Sequence, residues 1–326
     1  MKNIVIAAGY ATRLGELTKN FPKPLLKIGE KSILGRMLDD IDQIPEIDEH
    51  IIVTNHKFAP IFEQWAKEQG QCSAKAEGQR DSVKAESQRD SVKGTRSEAL
   101  DLRPLTFDLR QVDSPSTLDR RWQKPITIID DGTSTNDTRL GAVCDLLLAI
   151  DYLDKKSIPS PPNPGELEGV LEGILVVAAD NLLFFSFSEF VNFAKEKGTS
   201  CIMCHEQPSI EKLQRTGVVE LDENNKVLSM EEKPQVPKSH WAVPPFYIYL
   251  KKDLDLVRHS VENGCGKDAP GNLAHYMVEH TTMHAWPMSA GRFDIGSLDT
   301  YYEAQRLYGQ RDSVKGQRDS VGSLRP

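Results

Sequence analysis

The sequence predicts an α/β fold, a doubly wound and mostly parallel sheet, with mixed strands added in its second half. Three observations carry that expectation. Short continuous apolar runs of strand length occur at 4–8, 50–55 and 173–180, the pattern of strands buried on both faces. Helical stretches alternate with them, the first opening at Ser32 as N-cap with Ile33, Met37, Leu38 and Ile41 on one face. The loop after the first run begins Ala7-Ala8-Gly9, at the place where doubly wound sheets receive their ligands.

Taken in order, the run at 4–8 is a buried strand, 32–41 a helix, 50–55 a second strand and 58–68 a second helix. This βαβα alternation is what a parallel sheet needs, because each crossover must pass over the sheet. From about 70 to 123 the pattern stops and the chain becomes polar. "QRDSV" occurs there at 79–83 and 88–92, and again at 310–314 and 317–321. A five-residue unit with one apolar position cannot bury a face, so a solenoid is not expected. We expect a single domain over 1–309, interrupted by a solvated insertion at 71–123 and a proline-rich loop at 155–170, and followed by a solvated tail at 310–326. Folding signals resume with "ITIID" at 126–130, a helix over 139–153, the strand ending at Asp180, a helix near 188–196 and a strand at 199–205. The segment 217–234 reads as a hairpin turning at "ENNK", followed by strand-like residues at 241–250, helices at 253–261 and 272–279, and the terminal pieces "MHAWPM" and "GRFDIGSLDTYYEAQRL".

The 40 Lys plus Arg against 48 Asp plus Glu give a formal charge of −8, which speaks against a nucleic-acid binder. A small phosphate-bearing ligand is compatible with it, since such a site needs only two or three placed cations. No apolar stretch approaches the roughly 18 residues needed to span a bilayer, and the five cysteines form no disulfide framework. A soluble, cytoplasmic protein with no membrane contact is expected; self-association is left open. "CIMCH" at 201–205 formally matches a haem-attachment pattern and half of a zinc site, but it lies in a strand-like run, so core thiols are expected.

The first loop is the most informative stretch. It lacks the Gly-Lys-Ser/Thr ending of a P-loop and the spacing of G-x-G-x-x-G, which also argues against a dinucleotide-binding dehydrogenase. It runs on to about Lys31 and carries Arg13 and Lys23, the latter between Pro22 and Pro24. Two prolines stiffen the backbone around that lysine, a use hard to reconcile with a merely solvated side chain.

"AAGYATRLGELTKNFPKPL" resembles the first motif of the sugar-1-phosphate nucleotidyltransferases, and is similar to glucose-1-phosphate thymidylyltransferases and uridylyltransferases. The matching residues are Thr12-Arg13-Leu14 and Pro22-Lys23-Pro24-Leu25. The resemblance implies a Rossmann-like nucleotidyltransferase fold and, with it, a set of roles. Ala8 and Gly9 would line the nucleotide, and Arg13 and Lys23 would act on the triphosphate. Asp180 and Asp294 would hold Mg²⁺, a hard cation suited to carboxylates in the ligand crevice. Gly217 and Glu232 would meet the sugar, and Lys233 its phosphate. Asn136 and Gly141 would read the base. Two departures stand out: Ala11 replaces a second glycine, and Asn136 stands where the family has glutamine.

The expected reaction is transfer of a nucleotidyl group from an NTP to a sugar 1-phosphate, giving NDP-sugar and pyrophosphate. Two alternatives stay open. One is a phosphocholine cytidylyltransferase, with Trp241, Phe246 and Tyr247 as material for a choline pocket. The other is a non-catalytic homologue that binds sugar nucleotide as a regulator. No hexapeptide repeats follow "YYEAQRLYG", so no fused acyltransferase β-helix is expected.

Overall fold

The computed structural model describes residues 1–69, 74–77, 122–156, 171–289 and 291–308. The QRDSV repeats, the rest of the expected insertion at 71–123, all but the start of the expected loop at 155–170, and the expected tail lie outside these residues; 155 and 156 belong to a helix.

The strands are β1 (Lys2–Ile6), β2 (Lys27–Ile28), β3 (Lys31–Ser32), β4 (Glu49–Thr54), β5 (Ala74–Glu77), β6 (Ile126–Asp130), β7 (Gly173–Ala178), β8 (Asn181–Leu183), β9 (Ser200–Glu206), β10 (Gly217–Leu221), β11 (Val227–Glu232), β12 (Trp241–Val243), β13 (Phe246–Leu250), β14 (Met283–Pro287) and β15 (Arg292–Asp294). The helices are α1 (Glu16–Lys19), α2 (Ile33–Ile41), α3 (Ala59–Glu68), α4 (Ala142–Lys156), α5 (Phe187–Lys197), α6 (Ile210–Leu213), α7 (Asp255–Glu262) and α8 (Pro270–His280), with α9 over 298–308.

Eleven strands form one sheet in the order β11-β10-β12-β9-β13-β7-β1-β4-β6-β5, with β14 also paired to β9. The β7-β1-β4-β6-β5 half is parallel throughout. Beyond β7 the pairing turns antiparallel through β13, β9, β12, β10 and β11, the mixed addition expected for the second half. Parallel strands need crossovers, and these supply the two helical layers. Val5 and Ala7 pack with α2, α3 and α5 on one face, and Ile4 packs with α4, α7 and α8 on the other. A third cluster, Leu14, Leu26, Ile28, Ile33, Leu182, Ile295 and Ala304, seats the long first loop between α2, β8 and α9.

Several elements differ from expectation. The segment between β1 and α2 is not plain loop: it contains helical turns at Thr12–Leu14 and Lys23–Leu25, the helix α1 and the β2–β3 hairpin. Short, capped turns of this kind carry no hydrophobic period to read. Helix α4 begins at Ala142 rather than 139, because Gly141 has φ 91° and helical backbone cannot start through it. Leu140, expected inward, is 37% exposed. The range 71–123 holds structure at both ends. Residues 74–77 form β5, parallel to β6, and Trp122 is buried against Trp65 with its indole N–H on Asp39. Cys201 and Cys204 belong to opposite faces of β9, one in each core. They cannot converge on one ion, and burial pushes both thiols up to about 12.

The edge of the sheet away from the ligand crevice is held by a buried polar chain. Asn3 Nδ2 donates to His50 Nδ1 at 3.0 Å, which fixes the proton on Nε2, and that nitrogen faces Asp42 Oδ1 at 3.3 Å. Asp42 also accepts the backbone N–H groups of Gln123 and Lys124, tying α2 to the start of β6. Burial alone would raise the Asp42 carboxyl, but these donors outweigh it and hold it below its ordinary value. Burial lowers His50 below its ordinary value despite Asp42. The unfolded chain therefore takes up a proton at His50 near pH 6.5 before the folded chain does, and stability falls as pH drops through that point. Asp42→Ala strands two buried N–H groups and the imidazole, and is expected to cost about 2–3 kcal/mol. Urea unfolding at pH 7.5 checks this; a loss under about 0.5 kcal/mol would contradict the assigned network.

Candidate active site

The site forms where β1, β6 and β7 end. Three clamps fix the loop after β1. Asn55 Nδ2, fully buried at the end of β4, donates to Ala8 O at 2.9 Å. The Tyr10 hydroxyl donates to Thr133 O at 3.0 Å, and Thr18 Oγ1 donates to Ala11 O at 2.8 Å. A Cβ built on Gly9 would meet nothing within 4 Å, and Gly9 is not among the glycines of positive φ. The backbone alone thus does not demand glycine there; the bare surface faces open space, as a floor for a flat ligand would. The demand for positive φ falls instead on Ala11, at φ 47° and ψ 40°. The left-handed conformation costs an L-residue about 1–2 kcal/mol, so the family's second glycine answers a real constraint that this chain meets with strain.

Lys23 emerges from its turn between the two prolines, 11% exposed, and its Nζ lies 3.0 Å from Asp180 Oδ2. Asp180 follows β7, and Asn181 Nδ2 donates to its other oxygen at 2.7 Å. The antiparallel pairing of β8 with β15 sets Asp294 opposite Asn181, and Ile295 N donates to Asp180 O at 3.1 Å. The two aspartates, 114 positions apart in sequence, are thereby brought together. Asp294 is open to solvent. Crowding by protein and the charge of Asp180 raise its carboxyl above the ordinary value, while Lys23, Arg292 and Arg13 act in the opposite direction. Arg13 itself is exposed and reaches this field.

The residues expected on the acceptor side also come together. Glu232 ends β11 with a carboxylate wedged between two glycines. A Cβ on Gly271 would lie 1.9 Å from Glu232 Oε2, and one on Gly217 would lie 3.2 Å from it. Burial raises the Glu232 carboxyl, countered by Lys233, whose Nζ is 3.7 Å away. Lys233 has φ 54°, a strained conformation that turns its backbone N–H onto Thr216 O at 3.0 Å.

Asn136 and Gly141 flank a third piece. Asn136 Oδ1 accepts from Arg139 at 3.0 Å, and Arg139 forks onto Asp268 at 2.8 and 2.9 Å. Gly141 presses on the segment before α8: a Cβ there would lie 2.4 Å from Lys267 O. Asn136, Asp137, Arg139, Leu140, Lys267 and Asp268 line an open pocket.

Sequence reasoning missed four residues. Arg292 lies two positions before Asp294 on β15, so strand alternation could have placed both on one face. Arg139 and Asp268 carried no local signal. Asp145, in the first turn of α4, is 3% exposed, with Oδ1 unpartnered. Among the described residues no group of three or more His, Cys, Asp or Glu side chains is arranged for a metal. Two hard carboxylates pressed together nonetheless fit Mg²⁺, which keeps several positions for phosphate oxygens and water. The phosphocholine alternative loses material: Phe246 and Tyr247 are 0% and 2% exposed and face opposite cores.

A bare floor, two cations and two carboxylates thus stand at the carboxyl edge of a parallel sheet, where doubly wound α/β proteins receive their ligands. Residues 2–95 and 166–311 match the family model described as Nucleotidyl transferase, and the chain belongs to that family. Glucose-1-phosphate adenylyltransferase of Fervidobacterium nodosum is 29% identical over 135 residues, 40% of this chain and 32% of that protein. The enzyme of the same name from Mycoplasma mobile is 29% identical over 133 residues, 40% and 35% of the two chains. The chain thus matches about a third of the length of these relatives. Among solved structures, a UDP-glucose pyrophosphorylase with UDP-glucose superposes with a TM-score of 0.65 at 17% identity, covering 95% of this chain and 98% of that one. A Bacillus anthracis protein described as a glucose-1-phosphate thymidylyltransferase, solved with sucrose, gives 0.61 at 17% identity, covering 94% of each. These two likenesses establish the fold.

Asp145 offers a test of the electrostatics at the start of α4. Burial, and next the charge of Asp131, push its carboxyl up to about 8. Between the unfolded value near 3.8 and 8 the folded chain holds a proton that the unfolded chain has lost, so Asp145 lowers stability progressively as pH rises through that window. Asp145→Asn removes this dependence. The variant should gain on the wild type from pH 5 to pH 8 in urea unfolding; a difference that does not change with pH would contradict the buried neutral acid.

Proposed function

We propose that the chain transfers a nucleotidyl group from an NTP to a sugar 1-phosphate, with Mg²⁺, releasing pyrophosphate. The observation that carries this reading is the meeting of Lys23, Asp180 and Asp294 beside the bare Gly9 floor. The family relationship supports the transfer chemistry, and the names of the relatives support the acceptor class.

In this reading a phosphate oxygen of the sugar 1-phosphate attacks the α-phosphorus of the NTP. A new P–O bond forms there, the bond from the α-phosphorus to the bridging oxygen breaks, and pyrophosphate departs with that electron pair. The attacking oxygen is already anionic, so no general base is needed and catalysis is positioning plus charge neutralisation. Arg13 and Lys23 neutralise the α-phosphate and the leaving group. Lys233 holds the attacking phosphate, and Glu232 and Gly217 receive the sugar. Asp180 and Asp294 would hold Mg²⁺, which supplies charge neutralisation across the phosphate oxygens when bound. Lys23 serves meanwhile as counter-ion to Asp180, and a triphosphate gives both the lysine and the carboxylate new partners. Asn136, one methylene shorter than glutamine and held by Arg139, and Gly141 face the base.

The test is pyrophosphate release from four NTPs against several sugar 1-phosphates and phosphocholine, with Mg²⁺ and with EDTA. Turnover of at least one NTP with a sugar phosphate, lost in EDTA, is expected. Lys23→Ala should lower kcat by about 100-fold or more with an unchanged circular dichroism spectrum. Release with phosphocholine alone, or near-normal kcat in the variant, would overturn the reading.

A further inference from the structure

The geometry points to Arg292 as a second cation for the acceptor, binding the phosphate of the sugar 1-phosphate across from Lys233; this rests on the reading above. Its guanidinium donates to Asn181 Oδ1, beside the Asp180 carboxylate. Its Nε is shielded from water and has no hydrogen-bond partner, a costly state for a charged donor. On β15 it precedes Asp294 by two positions, so both project from the same face of that short strand. Arg292 therefore stands next to the metal-type carboxylates.

It stands on the acceptor side of them. β14 runs parallel to β9, with Pro287 opposite Cys204 and Met288 N on Cys204 O at 2.9 Å. That delivers the chain to the end of β9, at His205, four residues before Arg292. The guanidinium acts on His205, on Tyr247 and on Asp294, and Tyr247 in turn feels Glu232. In the sheet order β9 lies between β7 and the β10–β11 hairpin that carries Glu232, so Arg292 approaches from the acceptor side, while Arg13 and Lys23 come from the loop after β1, on the other side of β7.

A second observation marks the same spot. His205 Nδ1 is also shielded and unpartnered. Burial, and then Arg292, lower this imidazole to about 4, so it is neutral near pH 7 and keeps one donor and one acceptor. Two orphaned polar atoms in one neighbourhood mark a place whose polar groups the chain itself leaves unsatisfied. The charges agree. Glu232, Asp180 and Asp294 face the crevice, Lys23 is engaged by Asp180, and Lys233 is 57% exposed beside Glu232. A phosphate dianion entering there needs a further fixed cation, and a guanidinium is suited to grip it with two donors.

The experiment compares wild type, Arg292→Gln and Arg292→Lys, using the NTP and sugar 1-phosphate found in the substrate matrix, together with calorimetric titration of inorganic phosphate into NTP-saturated protein. Arg292→Gln should raise KM for the sugar 1-phosphate at least about 10-fold, leave KM for the NTP within about 2-fold, and weaken phosphate binding to match. Arg292→Lys should recover part of both losses. Equal losses toward both substrates would mean that Arg292 only braces Asn181, and unchanged acceptor KM and phosphate affinity would remove it from the site; either overturns the inference. A wild type that turns over no substrate pair defeats the transferase reading. Phosphate affinity in wild type and Arg292→Gln then decides on Arg292 separately, equal affinities counting against it.

Discussion

Everything at the carboxyl edge depends on how β1 is held. It pairs in parallel with β4 on one side and β7 on the other over five residues each, so that Ile6 faces both Val53 and Ala178. Gly9 lies three positions past that point on β1, and Asp180 two positions past it on β7. The floor and the first carboxylate therefore end at the same height, and Asn55, just past β4, arrives level with them to clamp Ala8. A slip of one residue would exchange Val5 with Ile4 between the two cores and turn every side chain over. Both are fully buried, and this burial makes the register stringent.

The two ends of the sheet differ in strain and charge. At the amino edge, Asn3, His50 and Asp42 form a chain whose tautomer and charges agree, with Asn3 Oδ1 left unpartnered. At the carboxyl edge the same fold carries a left-handed alanine at 11, a left-handed lysine at 233, a buried acid at 145, two aspartates pressed together, and orphaned atoms on His205 and Arg292. Backbone strain and close like charges of this kind are what ligand-binding edges carry.

The sequence carried the architecture of the parallel half because buried strands and amphipathic helices leave periods of two and 3.6 to read. It carried Arg13, Lys23, Asp180, Asp294, Glu232 and Lys233 as candidates because they sit in contiguous motifs that resemble a family. What it could not carry were relations between distant segments. Arg139 finds Asp268 across 129 positions, and nothing local to either announces the other. Trp122 lies at the end of a polar stretch, and only its packing on Trp65 and Asp39 reveals it as core. The folded segment before α2 was read as loop because its turns are too short for a hydrophobic period. Ala11 was visible as a substitution, but its φ had to be seen to learn that the position does require a left-handed residue.

The contact between Gly141 and the Lys267 carbonyl has a consequence for how this chain could change its substrates. Ala142 N and Val143 N also donate to Asp268 O and Lys267 O, and Arg139 bolts the same loop to Asp268. The segment that carries Asn136 and Gly141 and the segment that opens α8, whose Gly271 makes room for Glu232, form one mechanical piece. A loop taken from a relative would arrive without its counterpart and disturb the seat of Glu232. In descent or in engineering, 136–141 and 265–271 would have to be exchanged as a pair, and on the proposed reading nucleotide and sugar preference would then change together.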